Sequence, residues 1–387
     1  MRAFRILVAL VVSLGACAAR AEQPSSTSPP YASIDPSAIN YSGPDRESAR
    51  DLVGRDIKIG LIAPLQGARK PEGDALVAAA QMAIEDESAA PLVGGQRLML
   101  VVRDETGLWG RASSEIVKLA VEDRSVALIT SSDGRAAHLS EQVGNRLGVP
   151  VVTLATDATT TQINIPWIFR IVPHDAAQAC VFAESIYRER KFKRVLLISD
   201  GDHDGRVGAA EFQKAARQQG APPPERIEIT PPIADLGALG IEAQAREAQA
   251  IVLWTSAATA ARVLEEMTEV RAPMFMCTKA LEEPFISAMR GRQNIWVAAS
   301  SAPGPESAQR AFAERFQART GAAPSPAAAE VYDAVRLIAQ GLRESGPNRA
   351  RLRDALAARA EYRGVSGIIA FDGAGNSRAE VTLVPLQ

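Results

Sequence analysis

The sequence is poor in the residues that build disulfide or metal-held frameworks. It has three cysteines in 387 residues, and only Cys180 and Cys277 lie outside the N-terminal segment. Two cysteines about a hundred residues apart make neither a disulfide framework nor a metal cluster. The three histidines, His138, His174 and His203, show no ligand spacing, so each is interpreted as a surface or capping residue. No metal site and no cofactor are predicted.

The net charge is also small, and long apolar runs are few. The formal net charge of −2 argues against nucleic acid and against a strongly anionic membrane surface as partners. Beyond the N-terminal segment, no apolar run is long enough to span a bilayer. The GxSxG elbow, the phosphate-binding loop followed by Lys-Ser/Thr, and the HExxH motif do not occur. We therefore expect a soluble body that is not an enzyme.

The N-terminus predicts export. Residues 1–5 are short and basic, and residues 6–16 form an apolar run of secretory-signal length. Two processing sites compete, a cleavage after Ala21 and a lipobox that ends at Cys17, which would then carry a lipid. Residues 22–44 are rich in Ser, Pro and Thr, and a flexible tether is predicted over residues 22–54. Either route places the mature chain in the periplasm, and membrane contact is expected only through a lipid anchor.

The rest of the chain alternates short β-branched runs with amphipathic segments. This strand–helix series runs once up to residue 171 and then begins again, which predicts an α/β protein with two doubly wound, Rossmann-like lobes. Lobe 1 is assigned to residues 55–171 and 302–365. Lobe 2 is assigned to residues 172–301 and 366–387, including a closing β-hairpin. A three-segment hinge should join the lobes and leave a ligand cleft between them.

One stretch, LGVPVVTLATDATTTQINIPWIFRIVPHD from Leu147 to Asp175, indicates where that cleft lies. A buried strand ends in a loop of Thr, Ala and Asp residues, and a second apolar run stops at Pro173. In open α/β sheets, ligands bind where the carboxyl ends of strands and their loops converge. Ala155, Thr156 and Asp157 are therefore candidate ligand-binding residues.

The order of motifs resembles the leucine/isoleucine/valine-binding type of extracytoplasmic solute-binding proteins, which have the class I periplasmic binding fold. The resemblance runs from about Ile57 to Leu386. It rests on these segments in order: IKIGLIAPLQG, VVRDETG, LGVPVVTLATDAT, WIFRIVPHDAAQA, RVLLISDGDHDGRVGAAEF, VYDAVRLIAQGL and GVSGIIAFDGAGN. The resemblance implies a two-lobed clamp that closes on a small molecule and delivers it to the membrane permease of an ABC transporter.

The resemblance also implies ligand positions, and this chain departs from the amino-acid pattern at each one. Gly134 stands where a serine would bind the ligand carboxylate, and Asp157 replaces a threonine near the ammonium group. Asp204 replaces a covering aromatic residue, and Lys279 replaces the acid that pairs with the ammonium. Glu72 stands where an aromatic residue often precedes the first glycine.

The residues themselves allow more than one interpretation. Ser132 and Asp133 precede a predicted helix that begins at Gly134, and the amide groups at such a start can hold an anion. Asp133 could equally serve as the N-cap of that helix, and Asp157 could cap its own turn. An unpaired buried Lys279 would be costly, so this lysine should pair with an acidic residue or with an anionic group of the ligand.

Two functions remain open. The first is a solute-binding protein for a small polar, charged molecule that is not a branched-chain amino acid. The second is an envelope lipoprotein that reuses the fold to regulate or scaffold a partner protein.

Overall fold

The structure, a computed structural model, describes residues 51–386 except 90–91, 93–94, 108, 163–164, 231–235, 237–240, 268, 283 and 301–303. The predicted signal segment, Cys17 and most of the predicted tether lie outside the described residues. Within them, no helix is both long and apolar enough to cross a membrane.

The first sheet has five parallel strands in the order β2-β1-β3-β4-β5. The strands are β1 (Asp56–Ala63), β2 (Arg97–Asp104), β3 (Ala127–Thr130), β4 (Val151–Thr153) and β5 (Ile168–Arg170). The helices between them are α1 (Lys70–Ser88), α2 (Trp109–Val121), α3 (Gly134–Leu147) and α4 (Thr159–Gln162). All residues of β3, β4 and β5 are buried, as expected for a parallel sheet that is covered on both faces.

The second sheet repeats this arrangement. Its parallel strands are β6 (Val195–Asp200), β7 (Glu225–Ile229), β8 (Ala250–Trp254), β9 (Met274–Met276) and β10 (Ile295–Ser300), paired in the order β10-β9-β8-β6-β7. Its helices are α5 (Asp175–Ala183), α6 (His203–Gln218), α7 (Ile241–Glu247), α8 (Ala257–Glu266) and α9 (Phe285–Ala288). The two doubly wound sheets confirm the predicted fold class.

The helical region after β10 returns to the first sheet. It consists of α10 (Glu306–Thr320), α11 (Pro326–Ser345) and α12 (Arg349–Ala357). Phe312, Phe316 and Tyr332 are buried in the core of the first lobe, together with apolar residues of α1. The rings of Phe312 and Tyr332 lie 4.8 Å apart.

The closing hairpin is the main correction to the predicted architecture. The turn forms, since the amide of Asp372 donates to the carbonyl of Asn376 at 2.9 Å. The two strands that flank the turn, however, do not pair with each other. β12 (Ile368–Ile369) pairs with β11 (Tyr362–Arg363), whereas β13 (Val381–Leu386) pairs antiparallel with β10 at the edge of the second sheet.

The lobe 2 assignment of the segment from residue 366 is therefore wrong over its first part. Ile369 and Phe371 are buried in the core of the first lobe, where Phe371 contacts the ring of Phe169. The sequence predicts the turn and its two flanking strands, but it does not say which sheet each strand joins. We propose that the chain passes between the lobes after β5, after β10, and a third time between Phe371 and β13.

Candidate ligand-binding site

The candidate residues lie where the carboxyl ends of the two sheets face each other. The loops after β3 and β4 come from the first lobe, and the loops after β6 and β9 come from the second. In each sheet the strand order reverses next to the first strand of the lobe, β1 or β6, which is the usual position of a ligand site in a doubly wound sheet.

Direct hydrogen bonds join the loops of the two lobes. The amide of Gly134 donates to Oδ1 of Asp204 at 3.1 Å, and Nε2 of His203 lies 2.7 Å from Oδ2 of Asp157. Four of the predicted or flanking residues thus come together across the interface. The loops are in contact and not separated by an open cleft.

Lys279 pairs with Asp204. The lysine lies in a single helical turn after β9, and its Nζ donates to Oδ2 of Asp204. Both side chains are largely buried, with 17% and 11% of their surfaces exposed. Burial would lower the pKa of Lys279, but the nearby carboxylates of Asp204, Asp202 and Asp133 together raise that pKa. The lysine is therefore charged at neutral pH.

Arg69 organises a second group of charges in the first lobe. Its guanidinium holds Glu72 through two bonds, Nε to Oε2 at 2.8 Å and Nη2 to Oε1 at 2.7 Å. The same guanidinium contacts Oδ2 of Asp133 at 3.2 Å and Oε1 of Glu105 at 3.1 Å. The hydroxyl of Ser132 donates to Glu72 at 2.8 Å.

The carboxyl groups around Arg69 differ in their ionisation. Burial raises the pKa of Glu105 to about 8, despite the opposing effect of Arg69. Burial also acts to raise the pKa of Asp133, but its hydrogen bond from Arg135 and the charges of Lys279 and Arg69 lower that pKa overall. Glu105 is thus a neutral acid near pH 7, whereas Asp133 is ionised.

Two of the predicted carboxylates are also structural caps. Asp133 is the N-cap of α3 and accepts from the amides of Arg135 and Ala136 at 2.8 and 3.3 Å. Asp157 accepts from the amide of Thr159 at 2.9 Å through Oδ1. The cap therefore occupies one oxygen of Asp157, and Oδ2 of the same carboxylate faces the two histidines.

His138 and His203 converge on Asp157. Nε2 of His138 lies 3.1 Å from Oδ2 of Asp157, the same oxygen that His203 contacts. These hydrogen bonds raise the pKa of His203, and together with Glu141 they raise the pKa of His138 to about 9. Burial would raise the pKa of Asp157, but the two histidines hold it well below its usual range.

Backbone carbonyl groups of the loop after β4 accept hydrogen bonds from two buried residues. The carbonyl of Ala155 accepts from Nε of the fully buried Arg170 at 3.0 Å. The carbonyl of Thr156 accepts from the amide of Asp175 at 2.8 Å. Thr156 lines a small pocket together with Asp204 and Lys279, whereas the carbonyl of Ala155 is engaged by the scaffold.

Asp175 is a buried acid beside this pocket. It begins α5, where the chain enters the second lobe, and accepts from Nε1 of Trp254 at 3.2 Å. Its Oδ2 has no hydrogen-bond partner among the residues that the structure describes. Burial raises the pKa of this carboxyl group to about 7.

Sequence reasoning missed four polar residues of the site: Arg69, Glu105, His138 and His203. Arg69 lies three residues before Glu72, and Glu105 follows Asp104 in the VVRDETG segment, so both were adjacent to positions already singled out. The histidines gave no local signal because their partner Asp157 lies on a different loop. His174, by contrast, is a capping residue, since its ring accepts from the amide of Ala177.

Two doubly wound sheets whose strand ends meet through charged loops define a two-lobed ligand-binding protein. A family model described as "Periplasmic binding protein" matches residues 56–384. The chain belongs to this family, which is the family identified from the sequence motifs.

Named relatives of the chain are binding proteins as well. The chain is 27% identical to Leu/Ile/Val-binding protein homolog 3 of Brucella melitensis over 48% of this chain and 50% of that protein. It is 26% identical to an amino acid binding protein of Pseudomonas aeruginosa over 41% of this chain and 43% of that protein. The chain thus spans about half the length of the curated relatives it matches.

Solved structures share the fold. The branched-chain amino acid transporter substrate-binding protein LivJ of Streptococcus pneumoniae, in complex with isoleucine, matches with a TM-score of 0.74 at 19% identity, covering 86% of this chain and 100% of that one. A solute-binding protein of an ABC transporter from R. palustris, in complex with benzoate, matches with a TM-score of 0.74 at 18% identity, covering 86% and 93%. These relatives are transport binding proteins and not enzymes, in agreement with the sequence prediction.

Proposed function

We propose that the protein is a periplasmic solute-binding protein that closes on a small polar solute carrying a carboxylate and presents it to the permease of an ABC transporter. One observation carries this proposal. The carboxylate of Asp204 lies between the amide of Gly134 and the ammonium group of Lys279. These two donors form a carboxylate seat, by which we mean the place where Gly134 and Lys279 together bind a carboxylate.

The chemistry of the seat supports a carboxylate ligand. Gly134 is the first residue of the 14-residue helix α3, so its amide has no acceptor within the helix and lies at the positive end of the helix dipole. Lys279 adds a full positive charge. A solute carboxylate could replace the Asp204 side chain on these donors when the solute binds.

The surroundings disfavour a leucine-like side chain. The small pocket beside the seat is lined by Trp254 and Cys277 but also by carboxyl and hydroxyl groups, those of Asp200, Asp202, Thr156 and Ser256. On the first lobe, the neighbouring Arg69 and Glu72 form an ion pair. Burying an aliphatic chain against these polar groups would leave them without water. Amino acids and benzoate are the ligands of structural neighbours, and for this chain we propose a more polar solute.

The first step of the test is to find the solute. Mass spectrometry of small molecules that co-purify with the protein, followed by thermal-shift screening with amino acids and polar organic acids, should identify compounds that raise the melting temperature. Leucine should give no shift. Tight leucine binding would contradict the proposal.

The seat is then tested by substitution. Lys279→Ala should weaken binding of the identified carboxylate by roughly 1.5–3 kcal/mol, the range for hydrogen bonds to charged groups. Lys193→Ala is the matched control, because Lys193 is exposed. It precedes β6 at the amino ends of the strands, whereas the site lies at their carboxyl ends. Asp204→Asn should strengthen carboxylate binding, since it removes the competing charge. If Asp204 instead pairs with a cationic group of the solute, the same variant would bind more weakly.

The regulator or scaffold function remains the second candidate, and one observation favours it. The charged groups of the site pair with one another, within the second lobe as between Lys279 and Asp204, and across the lobes as between His203 and Asp157. Such pairing is what a cleft that no longer binds solute would also have. A protein that co-purifies with no small molecule, and that no solute stabilises, would support this second function.

A further inference from the structure

We propose that His138, Asp157 and His203 form a site for a divalent transition-metal cation of the Zn²⁺ class, and that this cation links the two lobes. The inference concerns a different group of side chains from the carboxylate seat. It does not depend on which solute the protein binds.

The three ligand atoms lie at a spacing that a metal can bridge. Nε2 of His138 and Nε2 of His203 are 3.1 and 2.7 Å from Oδ2 of Asp157, and all three atoms lie within 4.8 Å of one another. Two ligands bound to tetrahedral zinc at about 2.0–2.1 Å are about 3.3 Å apart. Small side-chain rotations would therefore place a cation among the three atoms.

The donor set selects the type of metal. Two imidazoles and one carboxylate favour zinc and neighbouring transition metals over magnesium or calcium, which prefer oxygen ligands. The histidine side chains are 25% and 32% exposed, whereas Asp157 is buried. A cation can thus enter from solvent, and the remaining coordination position faces water.

Neighbouring groups orient two of the ligands. Nδ1 of His138 lies 3.3 Å from Oε2 of the buried Glu141, which leaves Nε2 directed at Asp157. Metal-bound histidines commonly have such a carboxylate on the second ring nitrogen. The amide and hydroxyl of Thr159 occupy Oδ1 of Asp157 at 2.9 and 2.7 Å, which leaves Oδ2 for the metal. The hydroxyl of Thr159 also lies 2.8 Å from Nε2 of His138, and the metal would replace that contact.

The site is divided between the lobes. His138 belongs to α3 and Asp157 to the β4 loop of the first lobe, whereas His203 begins α6 of the second lobe. Three protein ligands are available when the lobes are together and two when they separate. A cation that binds the closed form more tightly must shift the protein towards closure.

The test uses purified protein without a polyhistidine tag, treated with a chelator and then titrated with Zn²⁺ by calorimetry and with Co²⁺ by visible absorption. We expect one cation per chain and a Co²⁺ spectrum without the thiolate charge-transfer band that Cys180 or Cys277 would produce. His138→Ala and His203→Ala should each weaken Zn²⁺ binding at least about tenfold. Both residues are partly exposed, so the variants should fold, and circular dichroism would verify this.

The matched control is His174→Ser, which removes the third histidine and keeps an N-cap oxygen for α5. It should bind Zn²⁺ like the unaltered protein. Small-angle scattering should show that Zn²⁺ makes the unaltered protein more compact, and His203→Ala should abolish that change. Zn²⁺ binding that survives the combined His138→Ala and His203→Ala change, or that does not depend on His203, would overturn the proposal. Failure of the unaltered protein to bind either cation would also overturn the proposal. The three side chains would then form only a hydrogen-bonded contact between the lobes.

Discussion

At the scale of single residues, the site is a set of charges that satisfy one another. Lys279 was expected to need an anionic partner, and Asp204 is that partner. Arg69 plays the same part for Glu72 and Asp133. Because each charge lies beside an opposite one, the interface between the lobes tolerates several buried ionised groups that would be costly alone.

Asp175 is an exception, and it leads to a prediction about pH. Its folded-state pKa of about 7 lies above the ordinary value of 3.8. A carboxyl group with a raised folded pKa stabilises the fold below its unfolded pKa, and this contribution is lost as pH rises through the folded pKa. The Asp175→Asn variant keeps the acceptor for Trp254 but does not ionise. Relative to the unaltered protein, it should therefore gain about 2 kcal/mol of stability between pH 5 and pH 8.

Urea unfolding at several pH values would measure this difference. The size of the gain follows from the burial of Asp175, which is 1% exposed. Parallel stability curves for the two proteins from pH 5 to pH 8 would mean that Asp175 is already ionised in the folded protein.

At the scale of elements, the start of helix α3 takes part in the contact between the lobes. Its first residue Gly134 contacts Asp204 of the second lobe, whereas its N-cap Asp133 contacts Arg69, and His138, one turn further along, contacts Asp157, both within the first lobe. One helix start thus presents a cap, an amide donor and an imidazole to the facing loops. The local signals for that start were visible in the sequence, but its partners in the second lobe were not.

The lack of a side chain at Gly134 should matter for closure. A Cβ there would lie 2.5 Å from Oδ1 of Asp204 and 3.1 Å from Cβ of Asp157. Gly134→Ala should therefore hold the lobes apart and weaken solute binding about tenfold, the effect of an overpacking cost of about 1.4 kcal/mol. Gly110→Ala in α2, where a Cβ meets no atom within 4 Å, should leave binding unchanged.

Calorimetry with the identified solute and small-angle scattering would compare these two glycine variants. Equal solute affinity for the two would show that the contact between α3 and α6 does not form when solute is bound.

At the scale of the whole molecule, two similar sheets share one chain that crosses between them, and the site lies where their strand ends meet. The family is periplasmic, which fits the predicted export signal. The residues that would carry a lipid anchor lie outside the described part of the chain.

We predict a lipid anchor at Cys17, because a lipobox-like Leu14-Gly15-Ala16-Cys17 precedes a Ser/Pro-rich segment. Cys17→Ala should move the protein from the membrane fraction to the soluble fraction, which immunoblotting of fractionated cells would measure. Cys180→Ala is the control, since Cys180 packs in the second lobe and should not affect fractionation. If the unaltered protein is already soluble and begins at Glu22, the anchor does not exist.

The sequence by itself determined the α/β class, the two series of strands and helices, the family, and the charged loops at the strand ends. These features follow from local periodicity and from residues next to one another in the chain. Only the tertiary structure decided which charges meet. Asp157 contacts His203 from 46 positions away, Gly134 contacts Asp204 from 70 positions away, and β12 and β13 join different sheets. Such pairings depend on how the two lobes face each other, and no local pattern encodes that.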